Sequence, residues 1–322
     1  MEVKIKVINN IQYINIKNKA GLEVMFSNLG ATIMSISYNN ELMTMTPKEF
    51  SAFKNINVYY GQTIGFICGR IKDGLIDIDG TPFQFDKNEG DNTLHGGFYS
   101  LENQKFSIQR IKKPDEFIIL YSFNKKKQKG TLPGKIDTYV AYTIKENEPV
   151  IELDFRLMSD EKTMVSLTNH TYFTLGEDGL DNLLLKFKSK SFVEPNKENL
   201  LPERKRDILP CLDFNNEKPV IKDIDDPYLM ESKTKGYDHY FIFDKEKKIR
   251  LLSPRYVLEI ETDFPGAQIY TDNYEDGVMM QNTERLDRRG IAIEPQDNPL
   301  ERKVLSRFEQ YQRHITYRFK KK

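Results

Sequence analysis

The sequence predicts an all-β fold, either a sandwich or a barrel. Apolar and polar residues alternate with a period of two along many segments, and the apolar positions are rich in β-branched and aromatic side chains. No long amphipathic helix is evident, and strands do not alternate with helices as they do in parallel α/β folds. Strands without helices must bury their apolar faces against other strands, which gives a sandwich or a barrel.

Individual elements can be predicted from this alternation. It is clearest in five segments, at residues 2–7, 140–144, 151–157, 256–260 and 315–319. Residues 75–85 predict a hairpin, because Asp79-Gly80 is a favoured two-residue turn between two alternating arms. Residues 39–57 and 195–235 are more polar and richer in proline, so we expect loops and short helices there.

Composition narrows the classes of function. The chain has 322 residues, with 48 Lys plus Arg and 48 Asp plus Glu, and this balance gives no sign of a nucleic-acid or anionic-membrane partner. No apolar run approaches the roughly 20 residues of a membrane span, and the first residues lack the apolar core of a secretory signal. Cys68 and Cys211 form no CxxC pair. We therefore expect a cytoplasmic protein with reduced thiols.

Organisation and cofactors are predicted from the same features. Nothing in the chain resembles an interdomain linker, so residues 1–322 are expected to form a single domain. A P-loop, a dinucleotide fingerprint and a zinc-like ligand spacing are all missing from the sequence, so neither a cofactor nor a metal is expected. The oligomeric state stays open between monomer and homodimer.

Two of the four histidines lie in segments that favour a functional role. His95 lies in Asn92-Thr93-Leu94-His95-Gly96-Gly97, where the glycines would let the backbone pass close to a ligand. His170 is flanked by Asn169 and Thr171, whose polar groups could hold its ring. A pair of imidazoles is a candidate acid/base site, although each histidine alone could equally be structural.

Four further residues are candidates for a site. Glu294 follows an apolar strand, where burial would raise its pKa toward that of a general base. The amide of Gln268 can both donate to and accept from hydroxyl groups, and the carboxylate of Asp238 can accept two hydrogen bonds. Arg70 offers five fixed donors to an oxygen-rich ligand. Taken singly, Arg70, Asp238 and Gln268 would more often be structural.

In this order along the chain, these segments resemble the aldose 1-epimerases, or galactose mutarotases. The similarity runs from about Gly30 to Gln296. It rests on Gly30-Ala31-Thr32, Asn92-Thr93-Leu94-His95-Gly96-Gly97, Leu132-Pro133-Gly134, Leu167-Thr168-Asn169-His170-Thr171-Tyr172-Phe173, Phe264-Pro265-Gly266-Ala267-Gln268-Ile269-Tyr270-Thr271-Asp272-Asn273 and Glu294-Pro295-Gln296.

The resemblance implies a large antiparallel β-sandwich of the galactose mutarotase-like supersandwich type, with an open sugar cleft and no metal. It implies interconversion of the α and β anomers of a free aldose, usually galactose or glucose. Glu294 would be the general base and His170 the general acid, whose protonated form the Glu294 charge should favour. The sugar would be held by the residues that match the family's binding positions, namely Arg70, His95, Tyr172, Asp238 and Gln268.

The chain also departs from the family pattern. Phe66, Gly69 and Leu300 stand where the family commonly has Arg, Asn and Asp, so the sugar preference is open. Two other functions remain on the same fold. A noncatalytic carbohydrate-binding sandwich would not need both Glu294 and His170. A hexose 6-phosphate mutarotase would need a basic cluster, and Arg70 is the one plausible phosphate contact among the motif residues.

Overall fold

The computed structural model describes residues 1–54 and 58–322, and these residues form mainly β-strands. In the first half of the chain the strands are β1 (Glu2–Ile8), β2 (Ile11–Lys17), β3 (Leu22–Ser27), β4 (Thr32–Tyr38), β5 (Glu41–Leu42), β6 (Thr63–Ile64), β7 (Arg70–Ile71), β8 (Leu75–Ile78), β9 (Thr81–Gln84), β10 (Thr93–Leu94), β11 (Ser107–Lys112), β12 (Glu116–Lys125), β13 (Ile136–Lys145) and β14 (Val150–Ser159). In the second half they are β15 (Thr163–Val165), β16 (Thr168–Asn169), β17 (Tyr172–Phe173), β18 (Leu184–Phe187), β19 (Ser189–Pro195), β20 (Pro202–Asp207), β21 (Lys218–Pro219), β22 (Asp238–Phe243), β23 (Lys248–Leu252), β24 (Tyr256–Thr262), β25 (Gly266–Tyr270), β26 (Ile291–Gln296), β27 (Lys303–Leu305) and β28 (Gln310–Lys321).

Helices are few and short. The described residues contain one α-helix, α1 (Pro227–Met230), and five 3₁₀ helices, at Phe50–Lys54, Lys72–Gly74, Gly97–Tyr99, Leu101–Asn103 and Pro210–Leu212. Among the described residues, no helix is long and apolar enough to cross a membrane. The two segments predicted as loops with short helices contain such helices, but they also contain strands β5, β20 and β21, which were not predicted. Residues 55–57 of the first segment lie outside the described residues.

Three antiparallel sheets form the body of the molecule. The first has five strands in the order β1-β2-β3-β4-β5, and the second has nine in the order β11-β12-β13-β14-β28-β24-β23-β18-β21. The third has six, in the order β17-β26-β25-β22-β19-β20. The smaller pairs are β6–β16, β7–β10, β8–β9 and β15–β27.

The predicted strands are confirmed. All five alternating segments lie within strands, which are β1, β13, β14, β24 and β28. The β8–β9 hairpin turns at Asp79 and Gly80, whose φ angles of 53° and 78° suit an Asp-Gly turn.

Aromatic contacts between sheets show a sandwich. Phe173 of the six-stranded sheet packs on Tyr317 of the nine-stranded sheet, with ring centroids 5.4 Å apart. Phe26 of the five-stranded sheet packs on Tyr142 of the nine-stranded sheet at 4.9 Å. The nine-stranded sheet therefore contributes to the core against both other sheets, and the expected antiparallel β-sandwich is confirmed.

Alternation along the six-stranded sheet separates core from cavity. Ile269 and Ile293 are at most 1% exposed and belong to the hydrophobic core. Their neighbours Gln268 and Glu294 point to the opposite face, because successive side chains of a strand alternate. One face of this sheet thus supports the fold, and the other carries polar side chains.

A buried arginine holds the long connection between β25 and β26. Arg289 is 1% exposed, and its guanidinium donates to Asp272 at 2.6 Å and to Asp276 at 2.6 Å. Asp276 also accepts a hydrogen bond from the hydroxyl of Tyr60. Because each charge has a partner of opposite sign, the connection can be fixed beside the polar face of the sheet.

Replacement of Arg289 by Met is expected to destabilise the fold by about 3–5 kcal/mol, since it leaves two carboxylates buried without a counter-charge. Urea unfolding followed by circular dichroism measures the change. The matched control is Arg285→Met on the same connection. Arg285 is 41% exposed in its ion pair with Asp181, so a loss below about 1 kcal/mol is expected. Equal losses in the two variants would contradict this role of Arg289.

Glu102 is a buried carboxyl group, and no cation of the described residues pairs with it. It is 3% exposed, one carboxyl oxygen accepts from the Ser100 hydroxyl, and the other has no hydrogen-bond partner within residues 1–54 and 58–322. Burial raises the pKa of Glu102 from 4.5 to about 8. The folded protein therefore keeps a proton that the unfolded chain releases, and the resulting stability is lost as pH rises from about 4.5 through 8.

Glu102→Gln mimics the protonated carboxyl and is expected to stabilise the protein more at about pH 9 than at about pH 5. Each unit of pKa shift corresponds to about 1.4 kcal/mol, so the difference should be a few kcal/mol. Thermal unfolding at both pH values tests this, with exposed Glu198→Gln as the control. A stability difference that does not depend on pH would show that Glu102 is ionised in the fold.

Candidate active site

The polar face of the six-stranded sheet is the floor of a cavity of about 430 Å³. This volume lies within the range of small-molecule sites. All seven site residues predicted from the sequence line the cavity: Arg70, His95, His170, Tyr172, Asp238, Gln268 and Glu294. They come from sequence positions more than two hundred residues apart.

Strand register explains why the floor residues meet. Gln268 on β25 is paired with Glu294 on β26 and with Tyr240 on β22. Asp238 lies two residues before Tyr240 and is paired with Tyr270. Residues directly opposite each other in adjacent strands share a face, so these side chains form one continuous polar surface.

Glu294 and His170 are in contact, and both side chains are almost fully buried. The Nε2 atom of His170 lies 3.3 Å from Oε1 of Glu294, and the two side chains are 6% and 3% exposed. Burial raises the pKa of Glu294 well above its usual value and lowers the pKa of His170 to about 3. The rise for Glu294 agrees with the sequence-based expectation. The expected rise for His170 was wrong, because burial disfavours the charged imidazolium.

His170 is held by packing and by its own backbone. Its ring centroid lies 4.9 Å from that of Tyr172 and 5.6 Å from that of Tyr59. Its backbone N–H donates to the carbonyl of Gln62 at 2.9 Å. The expectation that Asn169 and Thr171 fix the ring was wrong. Thr171 donates to Asn169, Asn169 donates to the carbonyl of Gly61, and Nδ1 of His170 has no partner within the described chain.

His95 is fixed as one tautomer by a backbone donor. The N–H of Gly69 donates to Nδ1 of His95 at 3.2 Å, and the N–H of His95 donates back to the carbonyl of Gly69 at 3.0 Å. Burial lowers the pKa of His95 well below its usual value, so the ring is neutral. Because Nδ1 accepts, the proton must reside on Nε2, which makes His95 a donor toward the cavity.

The glycines after His95 make room for the protein's own backbone. They do not line the cavity, contrary to the expected approach to a ligand. A Cβ on Gly97 would meet the carbonyl oxygen of Asp86 at 3.0 Å, and one on Gly96 would lie 3.4 Å from the Phe66 nitrogen. Both glycines have positive φ angles, which side chains disfavour.

Arg70, Asp238 and Gln268 belong to one hydrogen-bonded network. Gln268 donates to one oxygen of Asp238 at 2.6 Å, and Arg70 lies 3.5 Å from the other. Glu89 accepts from Arg70 at 2.8 and 2.9 Å, which is a bidentate pair. Burial raises the pKa of Asp238, while Arg70 and Gln268 oppose that rise.

Sequence reasoning missed several lining residues. Tyr240, Tyr270 and Gln296 each lie two positions from a predicted site residue, so extending the strand period would have found them. Tyr59 and Glu89 reach the cavity from loops, where no periodicity indicates direction. Of the departures from the family pattern, Gly69 lines the cavity, with a φ of 75° that suits glycine.

The arrangement is suited to proton transfer on a neutral, hydroxyl-rich molecule. A carboxyl and an imidazole are in contact, and they are surrounded by an amide, a neutral histidine, an arginine and several tyrosines. No group of three or more His, Cys, Asp or Glu side chains in residues 1–54 and 58–322 is placed to hold a metal ion.

Comparisons with known proteins find relatives over most of the chain. The family model for aldose 1-epimerase matches residues 12–314. An aldose 1-epimerase from Haemophilus influenzae is 29% identical over an alignment of 304 residues that covers 89% of this chain and 87% of that protein. A galactose mutarotase from Sus scrofa is 27% identical over 78% of this chain and 74% of its own length.

Solved structures show the same fold. A galactose 1-epimerase structure from Lactobacillus acidophilus superposes with a TM-score of 0.90 at 22% identity, covering 100% of this chain and 99% of that one. An aldose epimerase homologue from C. elegans has a TM-score of 0.81 at 23% identity, with 96% and 98% covered. Because the family model matches almost the whole length of this chain, the chain belongs to the aldose 1-epimerase family of isomerases.

Proposed function

We propose that this enzyme interconverts the α and β anomers of a free hexose, galactose or glucose, with Glu294 as the general base and His170 as the general acid. The observation that carries the proposal is the 3.3 Å contact between these two groups inside the cavity. The lining residues run from Val58 to Pro299, which supports treating the chain as one functional domain.

A pyranose opens when the C1 hydroxyl loses a proton and the ring oxygen O5 gains one. Glu294 would take the hydroxyl proton and His170 would supply the other, since both oxygens are attached to C1 and the two groups are close together. Rotation about C1–C2 then presents the other face of the aldehyde. Ring closure uses the same groups with their roles reversed, by microscopic reversibility.

The reaction requires one transferable proton on the pair. A proton on His170 creates two opposite charges, whereas a proton on Glu294 leaves both groups neutral. Desolvation favours the neutral arrangement, and the attraction across 3.3 Å offsets part of that preference. Both arrangements hold the same number of protons, so the pair can pass between them each time the ring opens or closes.

The remaining lining residues would hold the sugar. His95 would donate through Nε2, while Gln268 and Asp238 offer paired donors and acceptors to hydroxyl groups. Tyr172 would support the ring of His170, and Arg70 would donate through the guanidinium hydrogens that its carboxylate partners leave free.

The charges of the cavity favour a free sugar over a phosphosugar. Arg70 is the one Lys or Arg among the lining residues of the described chain, and it is already paired with Glu89 and Asp238. A phosphate would have to compete with both carboxylates. A noncatalytic binding module is less well supported, because simple binding does not require an acid and a base buried in contact.

Glu294→Gln and His170→Asn are each expected to lower catalysed mutarotation by about 10² to 10⁴. Polarimetry on freshly dissolved α-galactose or α-glucose measures the rate above the spontaneous reaction. His314→Asn is the matched control, because His314 lies outside the cavity lining and pairs with Asp154 on the nine-stranded sheet. Near-normal activity in both Glu294→Gln and His170→Asn would rule out the mechanism.

The pH profile provides a separate prediction. The pair loses its last proton only above the raised pKa of Glu294 and gains a second only near the His170 value of about 3. We therefore expect kcat/KM, corrected for the spontaneous reaction, to show no acid limb near the ordinary imidazole value and to fall only above the raised pKa of Glu294. An acid limb near 6.5, the ordinary imidazole value, would contradict the burial of the pair.

A further inference from the structure

We propose that Glu89 is a specificity-determining residue that excludes anionic aldoses from the site. The classes excluded would be sugar acids such as uronates and aldoses that carry a phosphate. The inference rests on the proposed function, because it concerns which aldoses reach the same acid/base pair.

Glu89 determines how much of the Arg70 charge a ligand can reach. It accepts from Nε and Nη2 of Arg70 at 2.8 and 2.9 Å, while Asp238 lies 3.5 Å from Nη1. The three groups together carry one net negative charge. Without the charge of Glu89 they would be neutral, and the edge of the guanidinium formed by Nε and Nη2 would become available to a carboxylate or phosphate.

The burial of the pair makes this charge effective. The side chains of Arg70 and Glu89 are only 15% and 28% exposed, so solvent screens them less than it screens a surface pair. Hydroxyl groups can still use the remaining guanidinium hydrogens. An anion placed against this cluster would meet like-charge repulsion from two carboxylates.

Glu89 also lies at the boundary between the acid/base cavity and a second cavity. It measures about 330 Å³, shares Glu89 with the first cavity, and is lined by Lys72 and Lys233 together with Asp73 and Asp91. Neither lysine forms an ion pair with any residue of the described ranges. Glu89 thus lies between the acid/base cavity and a second cavity whose two lysines are matched by Asp73 and Asp91, so the neighbouring cavity offers an anion no net positive charge in compensation.

The experiment compares glucose with glucuronate and glucose 6-phosphate, by mutarotation and by calorimetric binding. The wild-type protein should prefer glucose. Glu89→Gln should raise the ratio of anionic to neutral kcat/KM about tenfold, the order expected when one nearby unit charge is removed. Glu89→Asp retains the charge and should keep the wild-type preference. Glu148→Gln is the control for net charge, since Glu148 is 56% exposed and outside both cavities.

The wild-type protein provides a test that needs no variant. Higher ionic strength screens the repulsion that an anion meets outside the cavity as it approaches, so the KM for glucuronate should fall as salt is added while that for glucose stays unchanged. A wild-type protein that uses anionic and neutral aldoses equally well would overturn the proposal. A Glu89→Gln variant whose kcat/KM values for anionic and neutral aldoses fall together, or keep the wild-type ratio, would also overturn it. Glu89 would then only position Arg70.

Failure of the proposed role of Glu89 can be distinguished from failure of the proposed function. If the wild-type protein turns over none of the three sugars, the proposed function fails. The calorimetric ratio of glucuronate to glucose binding, with and without Glu89→Gln, still decides the role of Glu89 in that case.

Discussion

Exclusion of water from the contact between Glu294 and His170 is the constraint on which the site depends. In water each group would have its ordinary pKa, and the two groups would titrate independently of each other. Burial moves both toward their neutral forms, so that the pair retains one mobile proton over a wide range of pH. The proposed chemistry is the movement of that proton to and from a sugar.

The sandwich makes this burial possible without sacrificing stability. Ile293 and Ile269 face the core, while their neighbours Glu294 and Gln268 face the cavity. Each of these strands therefore packs in the core with one face and lines the cavity with the other. The cavity is closed at its edge by the connection that Arg289 holds. A buried ion network there is expensive unless it is complete, and the paired carboxylates complete it.

Electrostatic balance inside the cavity sets which molecules fit. His95 is locked as a neutral donor by the backbone of Gly69, and Arg70 is paired with two carboxylates. A hydroxyl-rich neutral molecule can satisfy these donors and acceptors, whereas a strongly charged one would have to displace an ion pair. The same feature supports both a free hexose as substrate and the proposed role of Glu89.

The sequence by itself determined the strand class, the hairpin at Asp79-Gly80 and, through resemblance to a family, the seven residues that line one cavity. Periodicity reports which side of a strand is apolar, and short motifs report chemistry, so these features are local. Tertiary structure alone decided the contacts. The downward shift of the His170 pKa and the engagement of Arg70 by Glu89 arise from groups distant in sequence, or from the loss of water, which no local pattern encodes.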